Sequence, residues 1–167
     1  MIEPTIFSVT VSDDAVRRAL SAAPAIIDEE LVPAILEAQL LLEREVVDRT
    51  PTSGAGTLRG SIGALPITFS EGVMIGAVGT SLAYAQPVEE GSKPHRPPVE
   101  PIADWVQRKL GKDPKEAKKI AWGIAGKIAE QGSPGAHMFR EGLAATQGQI
   151  LEIIGGGVAA ALRRIDA

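Results

Sequence analysis

Two histidines, His95 and His137, are the side chains in this sequence best suited to acid–base chemistry or metal binding. Imidazole titrates close to neutral pH, but catalysis and metal binding both need a second group that orients the ring. Neither histidine has another histidine at the His-x-His or His-x-x-x-His spacing of a metal site. The sequence therefore predicts two ordinary surface imidazoles and no metal site.

Carboxylates cluster on one predicted helix, at residues 28–30 and again at residues 43–48. A pair of carboxylates can supply a general acid and a general base when one of them is buried. Glu43 and Glu45, however, point about 200° apart on a helix of 3.6 residues per turn. Acids near the start of a helix are favoured by the helix dipole. We therefore expect solvated or interfacial charge at both clusters rather than a catalytic pair.

The sequence also lacks motifs for phosphate binding and for nucleophilic catalysis. The glycine-rich run at residues 54–57 has no lysine of a phosphate-binding loop, and the glycines at 155–157 interrupt an apolar helical pattern. No Gly-x-Ser-x-Gly motif or dinucleotide fingerprint occurs. Because the chain contains no Cys, disulfides, thiolate zinc sites and thiol nucleophiles are excluded. We predict a protein that is not an enzyme and has no cofactor.

Charge is distributed unevenly along the chain. Residues 1–90 carry 13 acidic and 5 basic residues, a charge of −8, and residues 91–167 carry 8 acidic and 12 basic residues, a charge of +4; the sum is the net charge of −4. Nine of the bases fall between Lys93 and Lys127, and such a run could follow a phosphate backbone. Nucleic-acid binding also uses exposed aromatic rings, whereas Trp105 and Trp122 are predicted on the apolar sides of their helices. A solvated face, or a basic patch that meets the acidic half of a neighbouring copy, fits better; a sequence-independent DNA-binding module is the alternative.

The length and composition of the chain indicate the kind of fold that must hold these groups. The chain has 167 residues, of which 44% are hydrophobic and 4% aromatic, enough for one domain with an aliphatic core. No apolar run approaches the ~20 residues of a membrane helix, and the N-terminus lacks the pattern of a signal peptide. We expect a soluble, unprocessed single domain over residues 1–167, with no membrane partner.

The first half of the chain predicts a small sheet and a long helix. Residues 5–11 alternate as a strand does, and residues 62–69 and 73–79 alternate around a turn at 70–72, which predicts a β-hairpin. Pro66 cannot donate to a ladder, so its strand should lie at an edge or carry a bulge. A short helix is expected at residues 15–22. Residues 25–48 form a helix with one apolar stripe from Ile27 to Val46 and a second that a partner would cover, made of Val32, Leu36, Leu40 and Val47.

The second half is predicted to be helical. A helix opens at Pro101 and ends at Gly111, the next runs from Asp113-Pro114 to Gly132, and the last begins near Met138. The glycines at 155–157 weaken that last helix, which could be two pieces. Residues 49–56 and 86–99 are predicted as mobile loops. The fold class is α+β: a small antiparallel sheet, made of an N-terminal strand and a β-hairpin, packs on a long helix and precedes a helical C-terminal half.

Short motifs follow one another in a fixed order along most of the chain. They are Thr52-Ser53-Gly54, Thr57-Leu58-Arg59-Gly60-Ser61-Ile62, Val78-Gly79-Thr80, the segment from Tyr84 to Ser92, the segment from Arg96 to Ile102 with Trp105-Val106, Gly132-Ser133-Pro134, and Met138-Phe139-Arg140-Glu141-Gly142-Leu143. Their order and spacing, over roughly residues 30 to 155, resemble the gene-product-ten-like family of lambdoid phages. That family comprises tail-completion and neck proteins of long-tailed bacteriophages.

The resemblance implies a virion structural protein without catalysis, a tail-completion or head–tail connector protein at the phage neck or tail end. It implies assembly in the host cytoplasm as a ring, commonly of six copies, that docks onto neighbouring connector and tail ring proteins. DNA would at most pass through a channel. A tail terminator of the same junction is the closest alternative. The candidate contact residues, chosen for loop position or aromatic character and equally compatible with a core position, are Tyr84, Glu89, Arg96, Pro97, Pro98, Trp105 and Phe139.

Overall fold

A computed structural model describes residues 5–9, 24–52, 56–70 and 73–165, with residues 5–9 and residue 24 as backbone only. The predicted α+β class is confirmed: the described chain combines small antiparallel sheets with a long N-terminal helix and a helical C-terminal half. The helix predicted at residues 15–22 and the hairpin turn residues 71–72 lie outside the described residues.

The strands of the described residues are β1 (Thr5–Val9), β2 (Gly63–Ala64), β3 (Thr68–Ser70), β4 (Val73–Thr80), β5 (Gly91–Ser92) and β6 (Ser133–Pro134). The helices are α1 (Pro24–Arg49), α2 (Thr57–Ser61), α3 (Ala85–Glu90), α4 (Val99–Leu110), α5 (Pro114–Gln131) and α6 (Met138–Ile165).

The larger sheet is built around β4, which pairs antiparallel with β1 on one side and with β2 and β3 on the other. Ala64 pairs with Val78, whereas Thr68 pairs with Ile75. Four steps along the edge therefore span three steps along β4, which is the extra residue of a β-bulge. Pro66 lies at this break because it has no N–H to give to the ladder. The predicted hairpin is confirmed by the pairing of β3 with β4, whereas the strand predicted over residues 62–69 is interrupted at residues 65–67, where Pro66 lies.

One side chain of α1 joins that helix to the bulge. Gln39 is buried, and its Nε2 donates hydrogen bonds of 2.8 Å to the carbonyl oxygens of Leu65 and Ala77. The helix backbone can approach the sheet closely at Gly76, where a Cβ would collide with the side chain of Ile35. Buried carbonyl groups are costly without a donor, so Gln39 satisfies the polar groups that the bulge exposes to α1.

The two longest helices, α1 and α6, run antiparallel and form the body of the fold. Gly142 of α6 lies against Val46 of α1, and Gly157 of α6 lies against Ala34 of α1. Residue numbers thus increase along α6 as they decrease along α1, which is the order of an antiparallel pair. A Cβ on Gly157 would lie 2.8 Å from the Cβ of Ala34 and 3.1 Å from the Glu30 carbonyl oxygen. α6 is one continuous helix through residues 155–157. The expected weak point therefore includes one of the close contacts of the helix pair, at Gly157.

Arg164 ties the end of α6 to the start of α1. Its guanidinium donates to Glu30 at 2.6 Å and to Glu29 at 2.8 Å. These hydrogen bonds, first to Glu30 and then to Glu29, raise the pKa of Arg164.

The main core lies between this helix pair, the sheet and the short helices α2 and α3. The first apolar stripe of α1 is buried, as the pattern predicts: Leu42 and Val46 belong to the main core, whereas Ile27 and Leu31 pack with Ala161 of α6 in a separate cluster. Phe139 at the start of α6 is the largest fully buried side chain in the described chain. The buried members of the main cluster are Ala38, Leu42, Val46, Leu58, Ile62, Val78, Ala85, Met138, Phe139 and Ile150.

Helices α4 and α5 form a hairpin with a small core of their own. That core consists of Val99, Ala103, Ala121 and Ala125. Gly111 ends α4 in the left-handed conformation, with a φ of 63°. The Asp113 carboxylate begins α5 by accepting from the backbone N–H groups of residues 115 and 116. Both predicted helix boundaries at this turn are confirmed.

Secondary structure occupies most of the segment that was predicted to be a mobile loop at residues 86–99. It contains most of α3, all of β5 and the first residue of α4, and only residues 93–98 are neither helix nor strand. Pro87 is tolerated because it lies in the first turn of α3. β5 pairs with β6, about forty residues further on, a partner that no local pattern reveals. In the other predicted loop, residues 49–56, α1 extends to Arg49, and residues 53–55 lie outside the described residues.

Candidate assembly surfaces

The groups considered for chemistry lie apart from one another. His95 is exposed, with its Nδ1 2.9 Å from the Lys93 carbonyl oxygen, and His137 is half-buried just before α6. Across the described residues, no three or more His, Cys, Asp or Glu side chains are grouped so that they could hold a metal ion. No helix in that part of the chain is long and apolar enough to cross a membrane.

Five of the seven predicted contact residues reach the surface. Tyr84 is 45% exposed at the start of α3. Arg96 and Pro98 are exposed in the connection between β5 and α4, where Pro97 is half-buried. Trp105 is half-buried in α4. These five side chains are available to a partner to different degrees.

The other two, Glu89 and Phe139, lie inside the protein. Glu89 is 1% exposed and Phe139 is fully buried. The Glu89 carboxylate accepts hydrogen bonds of 3.0 Å from the backbone N–H groups of Phe139 and Arg140, through Oε2 and Oε1 respectively. A buried carboxylate needs such donors to replace water, so Glu89 serves the interior of the chain. Of the two positions that the sequence left open for these residues, surface contact or core, the structure shows the core.

Backbone hydrogen bonds strengthen the same junction between α3 and α6. The N–H of Ala136 donates to the Val88 carbonyl at 2.7 Å, and the N–H of His137 donates to the Glu89 carbonyl at 3.1 Å. His137 adopts a φ of 51°, which turns the chain into α6. The capping carboxylate comes from a residue 50 positions away, so a search for local capping patterns cannot find it.

The second apolar stripe of α1 forms the first candidate surface. Leu36 is 45% exposed and Leu40 is 53% exposed, whereas Val32 and Val47 are half-buried. The two leucines are four positions apart and therefore share one face of the helix. We call this the Leu36–Leu40 face. By helical spacing, its charged neighbours on α1 are Glu29, Glu37 and Glu43, with Arg44 as the one base.

A second candidate surface lies on α5 and was not foreseen. Trp122 is 62% exposed, although the apolar pattern predicted it on the buried side of its helix. The side of α5 that packs on α4 is formed by Ala117, Ala121 and Ala125. Trp122 is one residue past Ala121, which rotates its side chain by about 100° away from that contact. Small alanines allow the two helices to approach closely, and the large ring is left outside.

Three lysines precede Trp122 on the same face of α5. Lys115, Lys118 and Lys119 precede Trp122 by seven, four and three positions, which places them on the same face of α5, and all three are exposed. We call this the Trp122 face. An exposed tryptophan among lysines offers apolar area, cation–π contacts and positive charge to a partner.

Comparison with known proteins identifies no relative: no protein-family model, no curated protein and no solved structure matches this chain. What the protein does must therefore be inferred from its own residues and surfaces.

Proposed function

We propose that this protein is a virion structural protein at the head–tail junction of a tailed phage, a tail-completion or head–tail connector protein. It acts by assembling into a ring and docking onto neighbouring ring proteins, without catalysis. The order and spacing of the motifs between Thr52 and Leu143, which resemble the gene-product-ten-like family, support the phage context.

The observation that carries the assembly role is the presence of two different exposed apolar faces on one chain. The Leu36–Leu40 face lies on an acidic helix, and the Trp122 face is lined by lysines. The excess of like charge on each face opposes its pairing with itself and favours contact between the two different faces, which is a head-to-tail arrangement. Repeated head-to-tail contacts close into a ring when the rotation from one subunit to the next is a whole fraction of 360°. A ring is the assembly that the resemblance implies for a protein of the head–tail junction.

Electron microscopy and native mass spectrometry of the purified full chain test this proposal. We expect uniform rings at moderate salt, with one copy number across the preparation. Monomers at every accessible concentration would contradict it. Monomers that retard DNA in a gel-shift assay, with an affinity that falls steeply as salt rises, would instead support the sequence-independent DNA-binding module.

A further inference from the structure

We infer that a second copy of this chain docks its Trp122 face onto the Leu36–Leu40 face. The inference rests on the proposed function, because it names the contact between subunits that would build the ring. Within one chain Trp122 remains 62% exposed and Leu40 remains 53% exposed. These two faces therefore do not cover each other inside a monomer, and contact between them joins two copies.

The Trp122 face presents an open apolar surface beside its lysines. Gly126 follows Trp122 by four positions and so continues the same face. A Cβ built on Gly126 would meet nothing within 4 Å. The lack of a side chain there leaves room for a partner's side chains beside the indole. Trp is the residue type most enriched among the residues that dominate binding energy at protein interfaces.

The Leu36–Leu40 face offers the complementary chemistry. Its two leucines give apolar area, and Glu37 is an exposed carboxylate next to Leu36 and three positions before Leu40. Around the two leucines the helix carries Glu29, Glu37 and Glu43 against Arg44, an excess of negative charge that Arg164 reduces by pairing with Glu29. The α4–α5 hairpin carries seven basic and five acidic residues, a net charge of +2. Opposite charge around two apolar centres orients the encounter and opposes pairing of either face with itself.

Protein is favoured over nucleic acid as the occupant of the Trp122 face. Single-stranded nucleic acid stacks successive bases on several aromatic rings along a basic groove. Among the described residues of α4 and α5, Trp122 is the only large aromatic side chain that is mostly exposed. A single exposed ring, that of Trp122 beside Gly126, therefore fits the two leucines of the Leu36–Leu40 face better than a run of stacked bases.

Disulfide trapping tests the contact directly, because the chain contains no Cys. Gly126→Cys and Glu37→Cys variants of the full chain are prepared separately, mixed and oxidised. We expect a disulfide-linked dimer in the mixture and little from either variant alone, since the contact is between different faces. Glu90→Cys, an exposed position on α3, replaces Glu37→Cys in the matched control and should not crosslink.

Charge reversal provides a second, independent measurement. Lys119→Glu or Glu37→Lys should each weaken self-association by about tenfold, and the double variant should recover most of the loss. Lys127→Glu is the control, because Lys127 is exposed on α5 but points about 140° away from Trp122. Circular dichroism confirms that each variant is folded.

The outcomes separate the inference from the proposed function. If the protein forms rings but gives no mixed disulfide, and neither charge reversal weakens self-association, this contact is wrong. The proposed assembly into a ring would still stand. A wild-type chain that never assembles overturns both. If Lys119→Glu reduces DNA retention and Glu37→Lys does not restore it, the Trp122 face binds nucleic acid and the inference is wrong.

Discussion

The carboxylate of Glu89 accepts a hydrogen bond of 3.0 Å from the backbone N–H of Phe139, the largest fully buried residue among those described. Its other oxygen accepts from Arg140 at the same distance. The first N–H groups of a helix have no partner within the helix, and they lie at the positive end of the helix dipole. A side chain from α3 thus caps α6 and holds the aromatic anchor of the core. The two halves of the chain are joined at this point.

Removing that carboxylate should destabilise the whole fold. Glu89→Ala removes the carboxylate that accepts from one buried and one partly buried N–H group, so we expect a loss of about 2 to 4 kcal/mol in the free energy of unfolding. Glu89→Gln keeps one acceptor oxygen and should lose less. Urea denaturation followed by circular dichroism measures both. Glu90→Gln, an exposed neighbour, serves as the control, and a Glu89→Ala variant as stable as this control would disprove the capping role.

Adjacent glycines in α6 should respond to alanine in opposite directions. At Gly156 a Cβ meets nothing within 4 Å, so Gly156→Ala should stabilise the protein by up to about 1 kcal/mol through helix propensity. At Gly157 the same Cβ would lie 2.8 Å from the Cβ of Ala34. The helices must then separate, at a cost of about 1 to 3 kcal/mol. Thermal unfolding compares the two variants, and equal shifts would show that the helix pair is not tightly packed at this point.

Loss of the Gln39 amide should loosen the sheet from α1. Gln39→Met keeps the length of the side chain but removes both hydrogen bonds to the Leu65 and Ala77 carbonyls. We expect a loss of about 1 to 3 kcal/mol and faster amide hydrogen exchange in β4. Gln147→Met on the exposed side of α6 is the matched control. Unchanged exchange in β4 would mean that Gln39 does not support the bulge.

The α4–α5 turn should depend on its capping carboxylate. Asp113→Ala removes the acceptor for the N–H groups of Lys115 and Glu116, with an expected cost of about 1 kcal/mol. Asp104→Ala, at an exposed position within α4, removes the same charge without removing a cap. Hydrogen exchange at residues 115 and 116, compared between the two variants, locates the effect. Equal exchange in both would indicate that the cap contributes nothing.

The features that could be predicted from the amino-acid pattern are local ones. The hairpin, the bulge at Pro66 and the boundaries at Gly111 and Asp113 each depend on a few neighbouring residues, because backbone geometry and capping are decided within one turn. The first stripe of α1 follows from helical periodicity alone. A resemblance of motif order suggested a phage context, which stays a proposal.

Which side chains are buried depends instead on the packing of elements that are distant in the sequence. Glu89 has the sequence context of a loop contact, but the start of α6 lies beside it and buries it. Trp122 has the sequence context of a core residue, but Ala121 occupies the contact with α4. Gly157 resembled a weak point until α1 was found against it. In each case the deciding partner lies in another element, and burial depends on that partner's distance and size. Neither quantity is contained in the local pattern of residue types.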